Sequence, residues 1–262
     1  MKALYLSFEN YMVLPSDLHE KLVIFRDEWR IFAAKVLKKE CIHASPRYIL
    51  VYDLETTKDF EPKFHGFLSY DIVANKLSRY GLIPTHLVKN VADHVCDKRE
   101  WLGTYSKQKY WAEVFEAMFS QPEDFAILTG LNLLYFDLKR SDLKTGQVRN
   151  WNVEENRYTY THEGKPLEYV RINASHQGQT FLYYNFDLLP LVTQVDFKKG
   201  EKKAEQLAKE VNKHFFKMPN PPTFLKPWLS MEEIDYCIND CLVELELFAR
   251  ISNKILEQVR KS

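Results

Sequence analysis

Three short acidic motifs, which occur in a fixed order, constrain this chain more than any other feature of its sequence. Each motif places a carboxylate at the end of an apolar run or on one face of a helix. They are residues 49–57 (ILVYDLETT), residues 128–137 (LTGLNLLYFD) and residues 232–240 (EEIDYCIND). A fold that gathers them would bring four carboxylates to one site, which is the ligand set that a pair of magnesium ions requires.

The first motif ends a predicted buried strand over residues 48–54. Asp53 and Glu55 alternate by two, so a strand directs both side chains to the same face. Two carboxylates on one face repel each other unless a cation lies between them. The simpler interpretation is a strand that runs out into solvent at its acidic end.

The second motif places Asp137 at the end of an apolar run. Asn132 precedes it by five residues, and Gly130 allows the chain to turn there. The alternative is a hairpin strand that ends in a solvated aspartate.

The third motif places Tyr236 and Asp240 four residues apart, so they share one face of a helix. Asp240 is then a candidate metal ligand, and the Tyr236 hydroxyl is a candidate to position an attacking water. Alternatively, both residues decorate a surface helix whose positive end attracts Glu232 and Glu233.

Composition narrows the class of protein. The chain has 262 residues, 45% of them hydrophobic, and its 36 basic residues balance its 36 acidic residues. This composition is typical of an ordinary soluble globular protein. It is compatible with an enzyme that contacts a few nucleotides transiently, and less so with a tight architectural DNA binder. Four cysteines without a CxxC pair favour reduced thiols. No signal peptide or membrane-length apolar stretch is evident, so we expect a cytoplasmic protein without a membrane partner.

The residue pattern predicts an α/β protein with one main domain. We expect an N-terminal strand–helix extension over residues 1–45, packed on a core domain over residues 46–262. Predicted strands cover residues 3–7, 48–54, 125–129 and 180–184, with hairpins in residues 142–165. Predicted helices cover residues 16–39, 66–80, 101–119, 201–216 and 231–259.

The three motifs resemble those of DEDDy-type 3′–5′ exonucleases, and most closely the proofreading domain of B-family DNA polymerases. The DxE of that family matches Asp53 and Glu55, and its YxxxD matches Tyr236 and Asp240. Its T-G-x-N-x-x-x-F-D pattern matches residues 129–137 at every fixed position. The resemblance implies an RNase H-like fold, a mixed sheet flanked by helices, here with helical and hairpin elaborations.

The resemblance also implies roles for individual residues. Two Mg²⁺ or Mn²⁺ ions would be held by the four acids Asp53, Glu55, Asp137 and Asp240, and Tyr236 would orient the nucleophile. Substrate would be bound by Asn132, Thr56 and Lys139. The implied substrate is a single-stranded 3′ end, with DNA favoured. The implied partner is a polymerase or another replication or repair protein, at the nucleoid or in a nucleus.

Two features depart from the family pattern. After the second motif the family continues through a Pro-Tyr-like segment, whereas this chain has Leu-Lys-Arg-Ser-Asp over residues 138–142. In addition, residues 64–120 are predicted to be largely helical, where the family has antiparallel strands directly after the first motif.

A rival interpretation is the PD-(D/E)xK pattern of restriction-type endonucleases. In that pattern Asp124 and Asp137 hold metal, Lys139 assists the attacking water, and Glu113 or Glu116 is the helical acid. Both interpretations use Asp137, and they differ in whether Lys139 is essential.

Two further alternatives remain open. Residues 184–191 (YNFDLLPL) also resemble a second motif, which makes Asp187 a rival to Asp137, although its Asn lies too close to its Phe. A catalytically inactive RNase H-like module that binds nucleic acid or protein is the non-enzyme alternative.

Overall fold

The computed structural model describes fifteen stretches of the chain. They are residues 4–5, 13–37, 45–56, 62–84, 90–91, 126–130, 147–152, 157–162, 165–166, 169–176, 179–192, 195, 204–219, 221 and 228–262. The described helices are α1 (Ser16–Asp27), α2 (Trp29–Leu37), α3 (Leu188–Val192), α4 (Ala204–Val211) and α5 (Met231–Lys261).

The longer described strands are β2 (Tyr48–Thr56), β3 (Pro62–Asp71), β4 (Lys76–Pro84), β6 (Ala126–Gly130), β7 (Gln147–Asn152), β8 (Arg157–His162), β10 (Tyr169–His176) and β11 (Gln179–Asp187). Four short strands have two residues each: β1 (Leu4–Tyr5), β5 (Asn90–Val91), β9 (Lys165–Pro166) and β12 (Trp228–Leu229).

A mixed seven-stranded sheet, in the order β1-β4-β3-β2-β6-β11-β10, is the largest described element of the fold. Strands β2, β6 and β11 are parallel neighbours, and the other neighbouring pairs are antiparallel. Together with the helices, this sheet confirms the predicted α/β class. The described residues also form a β7-β8-β9 sheet, which confirms the predicted hairpin, and a β12-β5 pair.

The central strand β2 forms where the sequence has its apolar run. Ile49, Leu50 and Val51 are all buried, as expected for a strand with neighbours on both sides and side chains packed on both faces. The predicted strands over residues 48–54, 125–129 and 180–184 are confirmed as β2, β6 and part of β11.

The helix predicted over residues 66–80 is wrong, because this segment forms the hairpin of β3 and β4. The turn at residues 72–75 is held by Asp71, whose Oδ1 accepts hydrogen bonds from the N–H groups of Val73 and Ala74, each at 3.0 Å. Asn75 takes the positive φ of 50° that closes the turn. The misassignment arises because consecutive residues of β3, Phe67 to Tyr70, are all buried, so the alternation that marks a strand is missing from the sequence.

The helix predicted over residues 16–39 is confirmed in part. All five residues of its predicted apolar stripe are buried: Leu18, Leu22, Phe25, Trp29 and Phe32. However, Glu28 forms a turn that divides α1 from α2, and α1 is capped by the backbone of Pro15 rather than by the side chain of Ser16 or Asp17.

Helix α5 begins and runs as predicted. Ser230 and Glu233 form a capping box at its start, in which each side chain accepts a hydrogen bond from the backbone of the other residue. The helix packs against α1, β2 and β3. Aromatic contacts of Phe25 with Phe248, at 5.1 Å between ring centroids, and of Phe32 with Phe186, at 5.5 Å, join the N-terminal helices to α5 and β11.

The N-terminal residues share the sheet and the core, because β1 pairs with β4 and α1 packs on α5. The boundary predicted at residue 45 stays a prediction. The helix predicted over residues 101–119 lies outside the described residues. Among the helices that are described, none is both long enough and apolar enough to cross a membrane.

Candidate functional site

The acidic end of β2 carries the first motif. Asp53 and Glu55 are partly buried, and on β3 they lie opposite Gly66 and Phe64. Because they alternate with Leu54, they share the face of Val51, which belongs to the hydrophobic core. The face of β2 that packs in the hydrophobic core therefore ends in a pair of carboxylates.

Gly66 allows helix α5 to approach this pair closely. An ideal Cβ built on Gly66 would lie 2.1 Å from Cys237 Sγ, so any larger residue would collide with the helix. One carboxylate oxygen of Asp53, one of Glu55 and the sulfur of Cys237 all lie within 4.8 Å of one another. The third motif, which surrounds Cys237, is thus packed against the first.

Asp240 is the most deeply placed acid of the third motif, with only 1% of its surface exposed. Its Oδ2 accepts a hydrogen bond from Lys217 Nζ at 2.7 Å. Its Oδ1 is buried and has no hydrogen-bond partner among the residues that the structure describes. Lys217 Nζ also lies 6.0 Å from the centre of the Tyr236 ring, so one ammonium group faces both predicted residues of this motif.

Among the described residues, the electrostatics of the site are dominated by carboxylates. Burial, reinforced by the carboxylates of Asp53 and Asp240, raises the pKa of Glu55 well above its ordinary value. Burial and the charge of Asp53 raise the pKa of Asp240 to about 6, although Lys217 acts in the opposite direction. Burial alone would lower the pKa of Lys217, but Asp240 and Asp53 outweigh it and the pKa is raised. Lys217 alone therefore does not offset the effect of burial and mutual repulsion on these carboxylates.

Tyr236 is held as a neutral phenol. Burial, followed by the charge of Asp240, raises the pKa of its hydroxyl above the ordinary value of 10.0. At neutral pH the hydroxyl can therefore donate or accept a hydrogen bond, but it does not act as a phenolate base.

The segment that carries Lys217 is fixed by helix α5. Glu246 accepts hydrogen bonds from the backbone N–H groups of Lys213, His214 and Phe215 at 2.8, 3.1 and 2.8 Å. The amide of Asn239 donates to the carbonyl of Phe216 at 2.9 Å. These contacts end the helix predicted over residues 201–216 at Val211. The motif analysis missed Lys217, and no local signal in the sequence indicates it.

Glu244 is a second residue that the motif analysis missed. It follows Asp240 by four residues on α5, is 1% exposed, and has a buried Oε2 with no hydrogen-bond partner in the described part of the chain. Burial, and then the charge of Asp53, raises the pKa of Glu244 well above its ordinary value. One signal in the sequence could have identified Glu244. It lies within the apolar run of residues 242–247 and shares a helix face with Asp240, four residues before it.

The structure thus brings together four of the predicted site residues: Asp53, Glu55, Tyr236 and Asp240. Thr56 ends β2 and pairs with Pro62 across an irregularity in the ladder. The remaining predicted residues lie outside the described residues: Asn132, Asp137 and Lys139, and, for the endonuclease alternative, Glu113, Glu116 and Asp124.

The backbone register places the starting points of both second-motif candidates. Thr129 of β6 pairs with Val51 of β2, and Gly130 pairs with Asp187 at the end of β11. The described part of the second motif therefore ends at Gly130, beside the first motif and at the edge of the sheet where β11 also ends. The choice between Asp137 and Asp187 remains open.

Comparisons with protein-family models, with curated proteins and with solved structures found no match. A function for the chain is therefore inferred from its motifs and from the geometry of this site.

Proposed function

We propose that this protein is a metal-dependent 3′–5′ exonuclease with an RNase H-like fold, which hydrolyses phosphodiesters at a single-stranded 3′ end, with DNA favoured as the substrate. One observation carries the proposal. A carboxylate oxygen of Asp53 and one of Glu55, in the first motif, lie within 4.8 Å of Cys237 Sγ in the third motif, although these residues lie far apart in the sequence. A chance match to these two motifs gives no reason for them to converge.

The strands after the first motif support the fold assignment. Antiparallel strands are expected there in the family, and β3 and β4 follow β2 as an antiparallel hairpin. The helical prediction for residues 66–80 had been a departure from the family pattern, and its correction removes that departure for this segment. The parallel pairing of β2 with β6 then directs the start of the second motif to the same edge of the sheet.

The donor groups fit divalent cations. Carboxylate oxygens are preferred ligands of Mg²⁺ and Mn²⁺, and Asp240 Oδ1 is buried without a hydrogen-bond partner among the described residues. Asp53, Glu55 and Asp240 would hold the ions, with Asp137 as the expected fourth acid. When bound, such ions supply positive charge to the scissile phosphate and make a water molecule more acidic.

The residues of the chain prepare the site for that chemistry. The contact of Gly66 with α5 holds the two motifs at a fixed distance. Lys217 neutralises one oxygen of Asp240 and leaves the other available. The neutral hydroxyl of Tyr236 is suited to orienting a water by hydrogen bonding.

A cleavage assay tests the proposal. The substrate is a single-stranded DNA labelled at its 5′ end, with Mg²⁺ or Mn²⁺ present. We expect Asp53→Asn and Asp240→Asn each to reduce the rate by about 100-fold or more, which is the order of loss when one group that stabilises transition-state charge is removed. Asp235→Asn, at an exposed position of the same helix, is the matched control and should cleave normally.

The product pattern and Lys139→Ala distinguish the alternatives. Successive shortening from the 3′ end supports the proposal. Internal cuts that persist in Asp53→Asn and disappear in Lys139→Ala would establish the endonuclease alternative instead. Nucleic-acid binding without cleavage, in a protein that binds no metal, would favour the inactive module. The same assay with RNA measures the expected preference for DNA. A polymerase or repair partner stays a prediction.

A further inference from the structure

Cys237 is a fully buried thiol whose sulfur lies beside the two carboxylates of the first motif. One oxygen of Asp53, one oxygen of Glu55 and Cys237 Sγ lie within 4.8 Å of one another. The carboxylates belong to strand β2 and the sulfur to helix α5, so three potential ligand atoms converge from elements that are distant in the sequence. The roles implied by the three motifs give this sulfur no function.

The pairing of β2 with β3 explains why the sulfur lies on the same side of the sheet as Asp53. Gly66 is the residue of β3 directly opposite Asp53, and residues directly opposite each other project to the same face. A Cβ on Gly66 would lie 2.1 Å from Cys237 Sγ. The sulfur therefore occupies the space that a side chain at position 66 would fill, on the face to which Asp53 and Glu55 project.

The separations of these three atoms suit the ligands of a single ion. Zinc–sulfur bonds are about 2.3 Å long and zinc–oxygen bonds about 2.0–2.2 Å, so two ligand atoms of one ion are at most about 4.5 Å apart. The observed limit of 4.8 Å is close enough for small side-chain rotations to complete the site. Sulfur and carboxylate oxygen both bind Zn²⁺ in proteins, whereas Mg²⁺ takes oxygen ligands. The sulfur therefore favours a softer cation at this position.

Cys241, one turn further along α5, shows how a cysteine with a packing role is placed in this protein. Cys241 is also buried, and it belongs to the hydrophobic core cluster, where a thiol behaves as a small apolar side chain. Its sulfur would lie 3.8 Å from a Cβ on Gly66, an ordinary contact. Among the described residues, Cys237 is not part of that core cluster but is grouped with two carboxylates. Packing alone therefore explains Cys241 better than it explains Cys237.

We propose that Asp53, Glu55 and Cys237 bind one divalent cation that accepts a sulfur ligand, with Zn²⁺ or Co²⁺ bound more tightly than Mg²⁺. The inference rests on the proposed function in one respect, namely that the acidic end of β2 is a cation site. It adds a sulfur to the ligands that the motifs identify and specifies the class of cation. Because the thiolate is the form that binds metal, the thiol releases its proton to solvent when the ion binds.

Absorption spectroscopy of the full-length protein with Co²⁺ tests this inference without reference to activity. A thiolate bound to Co²⁺ gives a charge-transfer band in the near ultraviolet that oxygen ligands do not give. The wild type is compared with Cys237→Ser, which replaces only the sulfur, and with Cys241→Ser as the matched control. We expect the band in the wild type and in Cys241→Ser, and its loss in Cys237→Ser.

Cation affinities test the composition of the site. Zn²⁺ affinity is measured by competition with Co²⁺, and Mg²⁺ affinity by its effect on thermal unfolding. We expect Cys237→Ser to weaken Zn²⁺ binding by about 10-fold or more, the order of loss found when a group that supports a metal site is removed. Its Mg²⁺ affinity should stay within about twofold of the wild type, because Mg²⁺ does not use the sulfur. Asp53→Asn should weaken the binding of both cations.

The wild type alone can overturn the inference, so the test does not depend on the folding of a variant. A wild type that binds no Co²⁺, or binds it without the charge-transfer band, would show that the sulfur is not a ligand. A band that is lost in Cys241→Ser but kept in Cys237→Ser, or Zn²⁺ affinity that Asp53→Asn leaves unchanged, would also overturn it. The band in a protein that cleaves no nucleic acid would support the inference and count against the exonuclease. Cleavage with Mg²⁺ by a protein that lacks the band would overturn the inference and leave the exonuclease in place.

Discussion

Replacing Gly66 with alanine tests whether the contact between β3 and α5 holds the site together. The added Cβ would lie 2.1 Å from Cys237 Sγ, whereas ordinary contacts begin near 3.4 Å. Gly66 is not among the residues with positive φ, so alanine is compatible with its backbone and the perturbation is steric. Either the sulfur or the helix must therefore move by roughly 1 Å.

This displacement sets the expected losses of stability and of cleavage rate. Forcing an extra methyl group into a packed core costs about 1–3 kcal/mol of unfolding free energy. A shift of about 1 Å in a catalytic group can reduce the rate about 100-fold, and here it would separate Asp240 from Asp53. Removing the sulfur should relieve both effects, because the added Cβ would then lie 3.5 Å from the Cβ of residue 237.

A double-mutant cycle measures this coupling. Gly66→Ala, Cys237→Ala and the double variant are compared by urea denaturation and by cleavage rate. We expect the double variant to be more stable and more active than Gly66→Ala alone, with a favourable coupling energy of about 1 kcal/mol or more. If Gly66→Ala unfolds and cleaves like the wild type, or if Cys237→Ala rescues neither property, the contact does not position the motifs.

Two further predictions concern charge. Asp240 binds its proton more tightly in the folded protein, with a pKa of about 6 against 3.8, so its contribution to stability is complete below pH 3.8 and is lost as the pH rises to 6. In EDTA this loss should be about 3 kcal/mol of unfolding free energy. It is measured as the difference between the wild type and Asp240→Asn in how steeply the unfolding free energy changes with pH. Equal pH dependence in the two proteins would contradict the prediction. Glu246→Gln should destabilise the protein by about 3 kcal/mol or more in denaturation, because it breaks a buried ion pair with Arg250. Glu257→Gln is its control, and equal stability of the two variants would show that Glu246 is dispensable.

The elements that were predictable from the sequence are those whose burial leaves a clear local pattern. Helix α5 combines a recognisable cap at Ser230 with a long apolar periodicity, and its predicted start is confirmed. Strand β2 combines an apolar run with alternating acids, which also predicts that Asp53 and Glu55 share a face. The convergence of the first and third motifs was predictable only because their order resembles that of a known family. No local property of either segment identifies its partner.

The failed predictions lie where a distant residue decides the local structure. Residues 212–216 continue the predicted helical pattern. However, Glu246 accepts hydrogen bonds from the backbone N–H groups of Lys213, His214 and Phe215, which a continuing helix would direct to its own carbonyls. In β3 the opposite difficulty arises. Both faces of the strand are buried, so the sequence shows a continuous run that is equally consistent with a buried helix.

Helix α5 shows why the sequence predicted Tyr236 and Asp240 but not Lys217 and Glu244. Asn239, Val243, Glu246 and Arg250 share a face that binds or supports residues 212–217. Asp240 and Glu244 belong to the neighbouring face, toward the acidic end of β2. Helical periodicity alone separates the two sets, but it does not say that Glu246 accepts hydrogen bonds from the backbone of residues 213–215. That information requires the path of residues 212–217, which also brings Lys217 to Asp240.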